Sequence, residues 1–224
     1  MVLPSRNEAG SIAGTVREVM AAAERIATRV EVIVVDDASE DGTGEAALSV
    51  GDGRVRVVRR EMSRGYGAAL RTGFEAATGA WVFYTDGDGQ VDPSALTDVP
   101  QLLATADAVV GFRVNRAEGC GRRFNAWAWT LGVNVVFGLR ARDVDCAFKV
   151  MPGEFVRGVR LVSDGALISA ELLAHAKRAG LRVATIGVRH RPRRAGRASG
   201  ASLGVIVRAV RELLTLSRRI RRGE

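Results

Sequence analysis

Short apolar runs alternate with amphipathic stretches through the first half of the chain, and each change of period marks an element. Val2-Leu3 opens a strand that Pro4 interrupts, and Ile12, Val16, Val19 and Met20 fall on one face of a helix predicted from about Asn7. A strand that begins at residue 2 is unusually short, so it is expected at a sheet edge, or else the native chain begins a few residues earlier. Glu31 to Val35 reads as a buried strand, and Arg54 to Arg60 alternates Arg with Val as a half-exposed strand does. Gly65 and Gly67 open a helix running to about Thr78, and Trp81 to Tyr84 suits the interior of a parallel sheet. Strand and helix thus alternate four times, which predicts an α/β fold: an open, mostly parallel sheet flanked by helices, with ligands at the carboxyl ends of its strands. Further on, Asn125 to Leu139 is fifteen residues without a charge, a length for a buried or interfacial helix. The last helix, about Leu203 to Arg222, gathers Leu203, Ile206, Val210, Leu213, Leu214 and Ser217 near one face, with arginines elsewhere.

At 224 residues the chain is expected to form one domain, divided into residues 1–112, 113–202 and a basic C-terminal helix at 203–224. No stretch is apolar enough to span a bilayer and no signal peptide is visible, so a cytoplasmic location is expected. Cys120 and Cys146 are too few and too far apart for a disulfide framework or zinc knuckle and read as reduced thiols. Charge divides by halves: residues 1–112 carry a net −7 and residues 113–224 a net +15. An acidic half that can hold a cation therefore meets a basic half suited to phosphates or an anionic surface. Nucleic acid is not the expected partner, because the basic segments lack interleaved aromatics and the acidic cluster would repel a backbone.

The chemistry collects at strand ends. After Tyr84 come Asp86-Gly87-Asp88-Gly89-Gln90, where residues two apart point the same way, so that both carboxylates and the Gln90 amide oxygen can converge. Hard oxygen ligands of this kind suit Mg²⁺ or Mn²⁺ with positions left open for phosphate oxygens. Gly87 and Gly89 would let a diphosphate approach the backbone. The bland alternative is a polar turn before a helix capped by Asp92 with Pro93 at its first position; that accounts for Asp92 and Pro93 but not for the acids and amide before them. The second strand ends in Asp36-Asp37; Ser39 and Asp41 can cap the next helix, while Asp36 and Asp37 are better placed to bond a base or ribose. Arg64-Gly65-Tyr66-Gly67 could be half of a dinucleotide fingerprint, but the third glycine is missing and the preceding strand is not the first.

Leu3-Pro4-Ser5-Arg6-Asn7-Glu8, Val34-Val35-Asp36-Asp37-Ala38-Ser39, Arg64-Gly65-Tyr66-Gly67-Ala68-Ala69 and Asp86-Gly87-Asp88-Gly89-Gln90 stand in the order and spacing of family 2 glycosyltransferases. The chain most resembles their polyprenyl-phosphate, dolichol-phosphate mannose synthase-like branch. The resemblance implies a GT-A fold, a nucleotide-diphosphate sugar donor and a divalent metal. It would place Pro4, Arg6, Glu8, Asp36, Asp37, Arg64, Asp86 and Gly87 about the nucleotide, and Asp86, Asp88 and Gln90 on the metal. Arg6 stands where the family usually has an aromatic residue, which leaves GDP and UDP both open. In the second half, Asp143-Val144-Asp145-Cys146-Ala147-Phe148-Lys149 resembles a segment beside the acceptor pocket, and Asp164-Gly165-Ala166 leads into the following helix with Glu171. His190-Arg191-Pro192-Arg193-Arg194 resembles a basic loop that closes over the donor phosphates. Asp88, Asp143 and Arg194 are the expected catalytic residues.

A hydroxyl acceptor needs a general base, for which Asp143, Asp164 and Glu171 are candidates; a phosphomonoester, with a second pKa of about 6, is already largely ionised at neutral pH. His175 reads as a packed or surface residue, and the arginines around His190 disfavour its protonation. The expected activity is inverting transfer of a hexose, mannose or glucose, to a polyprenyl phosphate. The alternatives are transfer to a soluble or glycan hydroxyl, and a non-catalytic nucleotide-sugar or nucleic-acid binding module. Residues 125–139, the last helix, or both are expected to touch the membrane peripherally; the last helix could instead dock on the sheet or form a homodimer.

Overall fold

The computed structural model describes residues 1–114, 120–192 and 203–222. The first half gives β1 (Val2–Ser5), α1 (Ile12–Ala23), β2 (Val32–Asp36), α2 (Thr43–Leu48), β3 (Val55–Arg59), α3 (Tyr66–Ala76) and β4 (Trp81–Tyr84). A 3₁₀ turn at Pro93–Asp98 then leads through α4 (Val99–Leu103) to β5 (Ala108–Val114). The remainder holds α5 (Cys120–Phe137), β6 (Lys149–Pro152), α6 (Gly153–Gly158), α7 (Ile168–Arg178), β7 (Val183–Arg189) and α8 (Leu203–Arg222). The strands form one seven-stranded sheet in the order β3-β2-β1-β4-β6-β5-β7. It is parallel apart from β6, which runs antiparallel to β4 and β5. Val32 to Val35 are fully buried, as expected of a strand covered on both faces, each side chain worth about 1.5–3 kcal/mol of burial.

β1 lies inside the sheet, which corrects the edge-strand reading. It pairs in register with β2 from Val2↔Ile33 to Ser5↔Asp36, but with β4 only at Val2↔Tyr84. Beyond that point β1 and β4 diverge, and the Pro4 carbonyl, facing the β4 side, accepts a bond from Gly87 N at 3.3 Å. Pro4 has no N–H to place on that side, so an imino acid costs the interior strand no ladder bond. Strand order also reverses between β1 and β4, and the carboxyl-side crevice at such a switch point is where open α/β sheets bind ligands.

Helix α1 starts at Ile12 rather than near Asn7. Asn7 is left-handed (φ 54°), and the N–H groups of Asn7, Glu8 and Ala9 are taken by Ser39 Oγ, Thr43 Oγ1 and Asp41 Oδ2 at 3.0, 2.8 and 3.0 Å. Asn7 Oδ1 answers by accepting Glu40 N at 3.0 Å. The loops after β1 and β2 are thus knitted together, and an unsatisfied N–H here would cost about 1–3 kcal/mol.

Apolar side chains fill both faces of the sheet, α3, α7 and α8 over one and α1 with the 3₁₀ turn over the other. Leu213, Leu216, Ser217 and Ile220 of α8 are buried, so this side of the helix's second half packs on the fold, while Leu214 is exposed. Among the described residues no helix is long and apolar enough to cross a membrane.

Candidate active site

The divergence of β1 from β4 opens a cleft of about 510 Å³ at the carboxyl ends of the strands. Pro4, Arg6, Glu8 and Asp37 line one side, and Asp86, Gly87, Asp88 and Gln90 the other, with Ser63 and Tyr66 between them. Eight residues expected on nucleotide or metal from the sequence therefore share one cavity. Arg64 is exposed and does not line it, and Arg193 and Arg194 lie outside the described residues.

On the nucleoside side the Asp37 carboxylate accepts from Arg60 Nη1 and Ser63 Oγ, both at 2.7 Å, and Ser63 Oγ in turn accepts Arg6 Nη1 at 3.0 Å. This chain fixes the acceptor that Asp37 offers to the cleft. Asp36 is a correction: buried at 1 % exposure, it turns away, its Oδ1 accepting Ser39 N at 2.9 Å and its Oδ2 lying 3.9 Å from Arg59 Nε. It secures the turn into α2 and does not line the cleft.

Asp86 and Asp88 follow β4 on a loop that α1 pins. Ser11 Oγ and Thr15 Oγ1 donate to the Gly87 carbonyl at 3.2 and 3.1 Å. A Cβ on Gly87 would stand 2.1 Å from Ser5 Oγ and 3.0 Å from Ile12 Cδ1, so the missing side chain lets the loop lie on β1 and α1. That close packing, rather than room for diphosphate, is what the structure asks of Gly87. Asp88 Oδ1 accepts Gln90 N at 3.0 Å, closing the turn. The Gln90 side chain donates to the Arg191 carbonyl at 3.3 Å, and Arg191 N donates back to the Gln90 carbonyl at 2.7 Å. Gln90 thereby ties the acidic loop to the root of the basic one, which Arg191 anchors to Glu18 and Asp92.

One oxygen of Asp86, Oδ1, is buried with no hydrogen-bond partner. Burial first, then the Asp88 charge, push the Asp86 carboxyl up to about 6, against the pull of the Tyr66 hydroxyl, Lys149 and Arg113. An orphaned buried carboxylate oxygen beside a second carboxylate fits a divalent cation, which supplies the missing partner and cancels the repulsion. Among the described residues no three His, Cys, Asp or Glu side chains form a metal cluster, so an ion here would take its other ligands from Gln90, water or the donor phosphates. A pH dependence follows. The folded carboxyl binds its proton more tightly than the unfolded one at 3.8, so the stability this group gives the metal-free protein is present below that value and lost as pH rises through about 6. Mn²⁺ should restore melting temperature above pH 6, and its affinity should fall about tenfold per pH unit below it; melting scans in Mn²⁺ and in chelator check the first, calorimetric titration the second.

The three expected base candidates are otherwise engaged. Asp143, 2 % exposed, accepts Arg113 Nε on Oδ2 at 2.7 Å and Nη2 on Oδ1 at 2.9 Å. Asp164 pairs with Arg71, while its carbonyl accepts Gly67 N at 2.7 Å. A Cβ on Gly67 would meet Ser163 O at 2.2 Å, so this glycine lets the start of α3 dock on the 163–165 loop. Glu171, buried in α7, accepts Val162 N and Ser163 N at 2.8 and 2.9 Å and holds the same loop from beneath. His175 is half-buried and burial lowers its pKa, in keeping with a packed role.

Two residues that the sequence did not single out stand behind the acidic loop. Lys149 is fully buried, donates to the Cys146 carbonyl at 2.7 Å and sits 5.2 Å from the Tyr84 ring centroid. Burial opposes its charge, but Tyr84, Cys146 and Asp145 outweigh it and raise its pKa. Asp145 accepts Trp129 Nε1 on Oδ1 at 3.2 Å, and burial raises its pKa against the pull of Lys149. The resemblance put the Asp143–Lys149 segment beside the acceptor pocket; only the fold shows that Arg113 takes Asp143 and Trp129 takes Asp145.

Residues 1–154 match the family described as Glycosyl transferase family 2. The chain is 28% identical over 224 residues to the undecaprenyl-phosphate mannosyltransferase of Micrococcus luteus, covering 93% of this chain and 89% of that protein. It is 29% identical over 178 residues to the dodecaprenyl-phosphate galacturonate synthase of Rhizobium johnstonii, covering 73% of this chain but spanning only 50% of that relative's length. The structure superposes on Mycobacterium tuberculosis glucosyl-3-phosphoglycerate synthase, solved with Mn²⁺, UDP-glucose and phosphoglyceric acid, with a TM-score of 0.71 at 23% identity over 99% of this chain and 78% of that one. At that identity the likeness is one of fold.

Proposed function

The chain belongs to glycosyl transferase family 2 and has the GT-A fold of its solved neighbours; from that premise we propose that it is an inverting hexosyltransferase moving mannose or glucose from GDP or UDP to a polyprenyl phosphate at the cytoplasmic face of a membrane. Arg6, Ser63, Asp37 and Arg60 form the hydrogen-bonded wall against which the nucleoside would lie. Asp86 and Asp88, with Gln90 beside them, would hold Mg²⁺ or Mn²⁺, which when bound neutralises the leaving diphosphate as a Lewis acid. The Mn²⁺ in the mycobacterial complex supports a divalent ion at this fold's cleft. The basic loop rooted at Arg191 would bring Arg193 and Arg194 to the phosphates, where guanidinium pairs bidentately.

The observation that carries the acceptor assignment is the state of the carboxylates. Asp143 is clamped by Arg113, Asp164 is paired with Arg71, and Glu171 holds backbone N–H groups, so none is poised to take a proton from a hydroxyl. A phosphate nucleophile arrives ionised and needs no base. The name of the Micrococcus relative, which aligns along nearly its whole length, supports the same acceptor. The test is transfer from radiolabelled GDP- and UDP-sugars, with Mg²⁺ or Mn²⁺, into an organic-extractable product when short polyprenyl phosphate is supplied in detergent. A metal-dependent labelled lipid is expected; donor hydrolysis with no lipid product would sink the acceptor assignment.

Asp145 is the carboxylate that separates this reading from a hydroxyl acceptor, because a single indole N–H bond leaves it capacity to accept a proton. Asp145→Asn should cost less than about tenfold in turnover with the lipid phosphate, since a general base contributes about 10²–10⁴-fold and none is required. A loss in that larger range, with the acidic limb of the pH–rate profile abolished, would make Asp145 the base and the acceptor a hydroxyl.

A further inference from the structure

The second half of α8 turns Leu213, Leu216 and Ile220 onto the protein, whereas α5 carries an apolar face turned to solvent within the basic half of the chain. Along α5, Phe124, Trp127, Leu131 and Val135 recur at intervals of three, four and four, and their exposures are 64, 59, 47 and 75%. At 100° per residue all four fall within one side of the helix. Val133, fully buried, and Trp129 lie on the opposite side. The Phe124 and Trp127 rings lie with centroids 5.7 Å apart and begin an apolar ridge that, among the described residues, stands exposed.

We propose that this α5 ridge docks on an anionic lipid surface, with Phe124 and Trp127 entering the headgroup layer; the inference rests on the lipid-acceptor reading above. Charge selects the occupant. Residues 119–142 contain four arginines, at 122, 123, 140 and 142, and no acid, so the sequence of the helix and its end carries a net +4. Arg140 and Arg142 are exposed next to the helix end, and the Arg142 guanidinium covers the Phe112 ring at 3.7 Å. An aromatic stripe between like positive charges suits acyl chains flanked by anionic headgroups, and two such ridges face to face would set arginine against arginine. Position argues the same way. The inner side of α5 binds Asp145 through the Trp129 indole, and the Asp145 charge acts on Tyr66 of the cleft lining, so one helix diameter, about 10 Å, separates the ridge from Asp145. A lipid held at its phosphate would need to leave its bilayer only by that distance.

The full chain should float with phosphatidylglycerol–phosphatidylcholine vesicles at least ~10-fold more than with phosphatidylcholine alone, and less as salt rises. Its tryptophan emission should shift to the blue on binding. The triple variant Phe124→Ser, Trp127→Ser, Leu131→Ser should bind the anionic vesicles at least ~10-fold more weakly, while its melting temperature and metal-dependent binding of the nucleotide sugar stay as in the parent. Vesicle binding unchanged in that variant overturns the proposal. So does a dimer of the parent in sedimentation velocity that the variant abolishes, because the ridge would then belong to a second copy. Failure of the function is separable: transfer to detergent-dispersed lipid phosphate does not require the ridge, so vesicle binding without lipid product overturns the acceptor reading and leaves the surface standing.

Discussion

Asp88→Ala removes sugar transfer by at least ~10³-fold, the equivalent of about 4 kcal/mol of transition-state stabilisation expected from losing the charge that holds a catalytic metal. The side chain has two duties, and the variant deletes both. Its Oδ1 closes the turn onto Gln90 N, and its charge helps raise the Asp86 carboxyl to about 6. The turn bond is worth about 1 kcal/mol, so the fold should survive with a melting temperature lowered by only about 2–4 °C. Asp88→Asn separates the duties: the amide oxygen can still close the turn, so stability returns while turnover stays lost. In both variants the Asp86 carboxyl should titrate lower than in the parent, because the like charge is gone. Turnover within tenfold of the parent in Asp88→Ala would remove Asp88 from the metal site.

Much of this site was legible because the first half of the chain obeys one rule four times over: a buried strand, a polar loop at its carboxyl end, a helix. That rule put Asp37, Asp86, Asp88 and Gln90 at strand ends, the family resemblance added Pro4, Arg6 and Glu8, and all seven line one cleft. What it could not settle was parity and partnership. Asp36 and Asp37 are adjacent, so a strand end turns one toward the cleft and the other away, and only the register Ser5↔Asp36 with the loop beyond it decides which. The start of α1 was misplaced because the N–H groups of Asn7, Glu8 and Ala9 before it are taken by Ser39, Thr43 and Asp41, more than thirty residues downstream, and no local pattern records such a bond. Gly87 was assigned to the ligand when its hydrogen faces Ser5 and Ile12. An edge position was one of two readings offered for the short β1, whereas its neighbours on both sides are set by the crossovers.

The same limit explains Asp143, and its resolution is a stability measurement. Asp143 was legible as an acid near the acceptor; its partner, Arg113, lies on β5, thirty residues earlier, and binds it through Nε, Nη2 and the backbone N–H. With Arg113 16% exposed and Asp143 2%, the pair is largely out of water, and a buried carboxylate stripped of its guanidinium costs about 3–5 kcal/mol. Arg113→Met should therefore lower the melting temperature by about 6–20 °C at neutral pH, on the scale of roughly 2–4 °C per kcal/mol for a chain of this size. Much of that loss should disappear as pH falls and the carboxyl that has lost its guanidinium takes up a proton. Adding Asp143→Leu to Arg113→Met should recover most of the stability, since two apolar groups in place of a buried pair are close to neutral. If Arg113→Met alone melts with the parent, the pair is not what holds β5 to the 143–148 segment, and Asp143 returns to candidacy as a free base.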